Sequence, residues 1–172
     1  MKRGEKLGIL GGNGLGKSTF LKTIVGKIPA LSGEYRFGTN VQIGYFDQQM
    51  AMYTSNKTVL DDFWDEYPNL TETEARNALG AFLFSGEDVF KNVNMLSGGE
   101  NVRLALCKIL KARPNVLVLD EPTNHMDIVG KETLESMLKD YKGTLIFVSH
   151  DRYFVKKVAT QLLVFEDGTT NL

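Results

Sequence analysis

The sequence has a single cysteine, Cys107, which excludes an internal disulfide. With no signal-like segment, that points to a reducing cytoplasm. It has almost no net charge: 20 Lys and Arg oppose 21 Asp and Glu, leaving −1. No global field therefore draws nucleic acid, and any RNA contact needs a local patch or a part outside these residues. No apolar run approaches the ~20 residues that span a bilayer, so a membrane enters only through a partner. Internal repeats and low-complexity stretches are also lacking. What is present is 172 residues of ordinary globular composition, 42% hydrophobic and 24% charged, enough for one domain with a buried core.

Against that background one stretch organises the rest: Gly11-Gly12-Asn13-Gly14-Leu15-Gly16-Lys17-Ser18-Thr19. It fits the phosphate-loop pattern G-x-x-x-x-G-K-[ST]. Leu7 to Leu10, interrupted by Gly8, precede it as a buried strand, and Phe20, Leu21, Ile24 and Val25 follow at helical spacing. Strand, glycine-rich turn and helix are the context the pattern requires. Glycines let successive N–H groups curl around an anion, and the helix beginning near Lys17 aims its positive end at the same point. Lys17 supplies a cation for the β- and γ-phosphates, and the Ser18 hydroxyl a hard oxygen for Mg²⁺.

Glu34 to Phe37, a Gly38-Thr39-Asn40 turn and Val41 to Phe46 read as a β-hairpin. Residues 57–111 then change to helical patterning. Thr58 opens a segment that stops near Pro68, and Thr71 with Glu74 carries a capping-box signature ahead of Ala75, Ala78, Leu79 and Phe82. Val116-Leu117-Val118-Leu119 and Leu145-Ile146-Phe147-Val148 are unbroken apolar runs, the mark of parallel strands covered on both faces. Helices are expected over 131–141 and 153–158, with a last strand at 162–165. The organisation is α/β: a mainly parallel sheet from about 1–56 and 112–172, a small antiparallel hairpin, and an inserted helical subdomain.

Several motifs carry chemistry. Asp120-Glu121 ends a buried strand, so Asp120 is placed for Mg²⁺ and Glu121 to polarise a water for attack on the γ-phosphorus. Leu96-Ser97-Gly98-Gly99-Glu100 opens a helix with a natural cap and two sterically open glycines, a second anion-binding terminus. One chain has no need of two nucleotides of its own, so the second element is expected to act on a neighbour's. His150 ends a strand where a neutral imidazole reaches a γ-phosphate, a surface histidine being the plain alternative. Gln48, at another strand end, offers an amide oxygen to Mg²⁺ or water. His125 reads as a loop residue near a subunit contact, Cys107, Trp64, Phe82 and Phe84 as packing, and Lys2, Arg3 and Lys6 as a solvated end.

These motifs stand in the order found in ATP-binding-cassette ATPase domains, which the chain resembles over nearly its whole length. The wording of Gly44-Tyr45-Phe46-Asp47-Gln48, Glu121-Pro122-Thr123-Asn124-His125-Met126-Asp127 and Val148-Ser149-His150-Asp151-Arg152-Tyr153-Phe154 resembles the F subfamily. Its members are soluble tandem-cassette proteins, several of them translation or antibiotic-resistance factors on the ribosome. The hairpin and compact helical block look more like the second cassette. The resemblance implies a P-loop NTPase fold and Mg²⁺-dependent ATP hydrolysis. Phosphates would lie on the Gly11–Ser18 backbone and Lys17, with the metal managed by Ser18, Gln48 and Asp120. Glu121 would be the base and His150 the γ-phosphate contact. Ser97, Gly98, Gly99 and Glu100 would close over ATP on a second cassette, and Asp127 would lie in the loop touching that partner.

Gly12, Met126 and Asn101 depart from the family's usual proline, leucine and basic residue without removing a catalytic group. Only ten residues precede Gly11, so the upstream strands and the adenine-stacking aromatic are missing. The chain reads as an excised, N-terminally truncated cassette, whose isolated turnover is expected to be weak. ATPase subunits of membrane transporters share all five motifs. They need a surface groove for a helix of the transmembrane partner, and the compact helical block and the Phe46-Asp47-Gln48 wording argue against that reading.

Overall fold

The computed structural model describes residues 3–11, 17–24, 41–166 and 169–171. In chain order the elements are β1 (Lys6–Gly11), α1 (Lys17–Ile24), β2 (Ile43–Phe46), α2 (Val59–Glu66), α3 (Glu72–Ala81), α4 (Gly98–Lys111), β3 (Val116–Asp120), α5 (Ile128–Asp140), β4 (Thr144–Val148), α6 (Arg152–Val158), β5 (Gln161–Glu166) and β6 (Thr169–Asn171). The strands form one sheet in the order β2-β3-β4-β1-β5-β6. All neighbours are parallel except β5 and β6. β4 therefore lies between the strand that precedes the phosphate loop and the strand that ends in Asp120.

β3 explains why its sequence does not alternate. All five of its residues are buried, and successive side chains point to opposite faces. Leu117 and Leu119 join Leu145 and Phe147 in the core shared with α2, α3, α4, α5 and α6. Val116 and Val118 join Leu7, Ile9, Ile146 and Val148 against Leu21 of α1. Gly8, which breaks the apolar run of β1, sits under α6: a Cβ there would meet Val155 at 2.8 Å and Ala159 at 3.1 Å.

Only part of the expected hairpin falls among the described residues. Its first arm and turn, residues 34–40, lie outside the described residues. Its second arm supplies β2, which pairs in parallel with β3. The antiparallel pair that is described, β5 with β6, stands at the opposite edge and has no forerunner in the sequence reading.

Local chemistry starts the helices. Thr58 accepts a bond from the Asp61 N–H at 3.1 Å. Thr71 and Glu74 complete their box, each side chain bonding the other's backbone at 3.1 Å. Trp64 and Phe82 pack as expected, the Trp64 indole donating to Leu70 O at 2.8 Å. Cys107 is buried, and that burial pushes its thiol up to about 12, so it is an inert core residue. Lys6 is not part of a solvated end: its ammonium donates to Lys139 O at 2.6 Å and so closes the last turn of α5.

Candidate functional site

β1, β2, β3 and β4 run the same way, so their C-terminal ends share one edge of the sheet. Open α/β sheets hold ligands at that edge. Lys17 opens the helix after β1, Gln48 follows β2, Asp120 ends β3 with Glu121 directly after it, and His150 follows β4. The fold thus gathers residues separated by more than 130 positions in sequence. Gly12 to Gly16 lie outside the described residues. Gly11 ends β1, while Ser18 and Thr19 are exposed in the first turn of α1. Lys17 is buried and folds back over β1, its ammonium donating to Gly11 O.

Gln48 is oriented without using its amide oxygen. Its Nε2 donates to the backbone carbonyls of Asp120 at 3.0 Å and Glu121 at 2.7 Å. Carbonyls only accept, so the NH₂ must face them, and the oxygen points elsewhere. Asp120 is 5% exposed, and its Oδ1 is buried with no hydrogen-bond partner among the described residues. A buried carboxylate oxygen left unpaired is costly, and a hard cation is the natural remedy.

Glu121 has φ of 53°, in the left-handed region that costs a non-glycine residue about 1–2 kcal/mol. Its N–H donates to Val148 O at 2.8 Å, and its carbonyl accepts from Asn124 N at 3.2 Å as well as from Gln48. These bonds hold the strained turn and direct the carboxylate to His150. Oε2 accepts from the His150 backbone N–H at 3.2 Å, and Oε1 meets His150 Nδ1. Strain fixed by its surroundings in this way is characteristic of working sites.

The Ser97 corner lies on α4. Ser97 and Gly98 are exposed. Ser97 Oγ accepts from Glu100 N at 3.2 Å, and Glu100 Oε1 accepts from Ser97 N at 3.1 Å, a full capping box. Glu100 therefore has work within its own chain. Burial alone would raise its pKa, but the Ser97 bonds and Lys91 at 3.3 Å hold it below the usual carboxylate value.

Sequence reasoning took Gly98 and Gly99 as a means of opening N–H groups. A second requirement is intramolecular: a Cβ on Gly99 would lie 2.4 Å from His125 O. His125, at φ 65°, belongs to the loop that leaves Glu121, so that loop runs straight to the start of α4. The paired glycines were the available signal of a close approach. Asp127 caps α5, its Oδ1 accepting from Gly130 N at 2.8 Å, which lengthens the helix expected from 131 back to Ile128.

One more feature bears on the transporter alternative. A groove of about 540 Å³ separates Met50, Met52 and Tyr53 from Leu104, Lys108 and Ile109. The groove lies between the Gln48–Met52 turn and α4. Among the described residues, no helix is long and apolar enough to cross a membrane.

Comparison with known proteins agrees with this geometry. The family model for ABC transporters matches residues 1–124. YdiF of Bacillus subtilis is 55% identical over 95% of the chain. ABC transporter F family member 5 of Arabidopsis thaliana is 44% identical over 98%, and the ATP-binding protein Uup of Haemophilus influenzae 44% identical over 95%. The chain spans 25%, 25% and 26% of those three relatives. Among solved structures, RNase-L Inhibitor superposes with a TM-score of 0.77 at 27% identity, covering 98% of this chain and 33% of that one. A dimeric ATP-binding cassette with ADP and Pi gives 0.79 at 23%, covering 99% and 86%, a likeness of fold. With the phosphate-loop wording, the sheet order and the family match in agreement, the chain belongs to the ABC transporter family of ATPase domains.

Proposed function

We propose that this chain binds and hydrolyses ATP, and that its working state is a head-to-tail pair of cassettes with two ATP molecules between them. The observation that carries this reading is the meeting of Lys17, Gln48, Asp120, Glu121 and His150 along one sheet edge. In this reading residues Gly11 to Thr19 hold the phosphates. Glu121 takes the proton of the attacking water, its carboxylate being held in place by the His150 backbone N–H on Oε2 and by His150 Nδ1 beside Oε1. In this reading His150 contacts the γ-phosphate from its place just beyond β4. Ser97, Gly98, Gly99 and Glu100 roof the partner's nucleotide, and Asp127 lies in the loop beside that partner.

Ser18, Gln48 and Asp120 fit a magnesium ion. They offer a hydroxyl, an amide oxygen and an orphaned carboxylate oxygen. Among the described residues no three His, Cys, Asp or Glu side chains form a cage, which suits an ion that shares its shell with phosphates. When bound, Mg²⁺ would supply positive charge to neutralise the triphosphate.

The F-family relative and the F-type wording around Gln48, Glu121 and His150 support a cytoplasmic, ribosome-associated role in translation, as the second cassette of a longer protein. The groove beside Met50–Tyr53 favours a second reading, the ATPase subunit of a membrane transporter. Two experiments test the proposal. Glu121→Gln should retain ATP while losing hydrolysis, and equal turnover removes the base from Glu121. Pelleting of the full-length Glu121→Gln protein with ribosomes and ATP separates the two settings: co-sedimentation supports translation, and its absence favours the transporter.

A further inference from the structure

Asn101 lies in the first turn of α4, two residues beyond Gly99, and is 8% exposed. Its Nδ2 donates to Ala51 O and to Tyr53 O, both at 3.1 Å. Its Oδ1 is buried without a hydrogen-bond partner among the described residues. A leucine, with the same branched skeleton, would leave no oxygen stranded. What the amide provides, and an apolar side chain does not, is the pair of donated bonds.

Those bonds end on the segment that carries Gln48. Residues Gln48–Met52 form a tight 3-10 turn, with Met50 N bonded to Asp47 O and Tyr53 N to Met50 O. At one end the Gln48 amide grips the carbonyls of Asp120 and Glu121. At the other, Ala51 and Tyr53 are held by Asn101, whose own N–H donates to Ser97 O at 2.9 Å. Three stiff links thus join the carboxylate end of the site to the Ser97 corner. A separate tie keeps the turn near α4 without Asn101: Tyr53 OH donates to Asp62 at 2.7 Å, and Lys108 pairs with Asp62 at 2.5 Å.

We infer that Asn101 is a positioning residue that locks the Gln48 segment to the first turn of α4, so that the Ser97–Gly99 corner moves with the chain's own nucleotide site. The consequence for a partner cassette rests on the function proposed above; the joint itself does not. In a paired enzyme this joint makes occupancy of one site set the roof of the other.

Asn101→Leu removes both donors and keeps the branched four-heavy-atom skeleton, with bulkier methyl ends. Asn101→Asp also removes both, in the original shape. In each variant KM for ATP should stay within about twofold of the parent while kcat falls about tenfold, with Asn101→Leu melting no lower than the parent. Hydrogen exchange gives a second readout. Mg-ATP should slow exchange at 48–53 and 97–104 together in the parent, but only at 48–53 in Asn101→Leu. Slowing at both segments in Asn101→Leu overturns the inference, as does unchanged kcat or a loss of activity matched by a loss of melting temperature. A parent that binds no ATP defeats the proposed function instead. The joint is then read without nucleotide: Asn101→Leu must speed exchange at 48–53 and 97–101 but not at 116–120, and no such change overturns it.

Discussion

The helical block from Thr58 to Lys111 and the catalytic edge of the sheet are built on opposite terms. In the block, the residues that start the helices find partners close by: Thr58 caps Asp61, Thr71 exchanges bonds with Glu74, and Ser97 with Glu100. Its interior is apolar, with Val59, Phe63, Leu79, Val93 and Val102 fully buried. At the edge, partners come from four strands, Glu121 is held in a strained conformation, and an oxygen of Asp120 goes unpaired. One region spends its chemistry on being folded. The other keeps part in reserve for a ligand.

Substitutions can break or sharpen that contrast. The largest effect belongs to Phe63→Ala, which empties a fully buried aromatic site and should cost about 3–5 kcal/mol of stability in denaturant titration. Next is Glu121→Gln. ATP turnover should fall at least ~100-fold, near 2.7 kcal/mol in the barrier, with nucleotide affinity retained by calorimetry. If instead it unfolds the chain, the edge is structural and the contrast fails. Gly99→Ala pushes a methyl into His125 O and should cost about 1–3 kcal/mol in the melt, with turnover falling alongside because the shifted loop begins at Glu121. Thr58→Ala removes a cap and should lower stability by about 1 kcal/mol while leaving turnover per folded molecule unchanged.

The smallest effect is one of pH. Asp151 is raised by its burial, but bonds from the Phe154 N–H and from Lys131 bring it below its ordinary 3.8, and Glu100 likewise lies below 4.5. Groups depressed in the folded state bind fewer protons than in the unfolded chain. Their stabilisation is therefore complete above about pH 4.5 and is lost as pH falls through the folded values. Melting temperature should be flat from pH 7 to 5 and decline below 4.5. Ser97→Ala should make that decline only slightly shallower: the hydroxyl is the smallest of the influences that depress Glu100, and the bond from the Ser97 backbone N–H to Glu100 Oε1 remains.

Legibility in the sequence follows the same division. The Thr71–Glu74 box spans three residues and could be read directly, as could the buried strands ending in Asp120 and Val148. The motif residues were visible, but their mutual bonds were not. Gln48 grips carbonyls more than 70 positions away, and nothing in its neighbourhood says that its nitrogen rather than its oxygen is committed. Gly99 was read for what it exposes, because the atom it must avoid belongs to His125, 26 positions on. Asn101 looked like a neutral departure because its partners are backbone carbonyls, which carry no residue identity. β5 was legible as a strand over 162–165, but its antiparallel pairing escaped because β6 is only three residues long.

The place of β4 sets the gauge of the catalytic edge. Adjacent strands lie about 4.8 Å apart, so one intervening strand holds β1 and β3 roughly 10 Å from each other. Were they neighbours, a lysine from one and a carboxylate from the other would tend to neutralise each other across a single spacing. Set two spacings apart, the helix start after β1 and the carboxylates at the end of β3 leave between them the width that the function proposed above requires for a phosphoryl group and its attacking water.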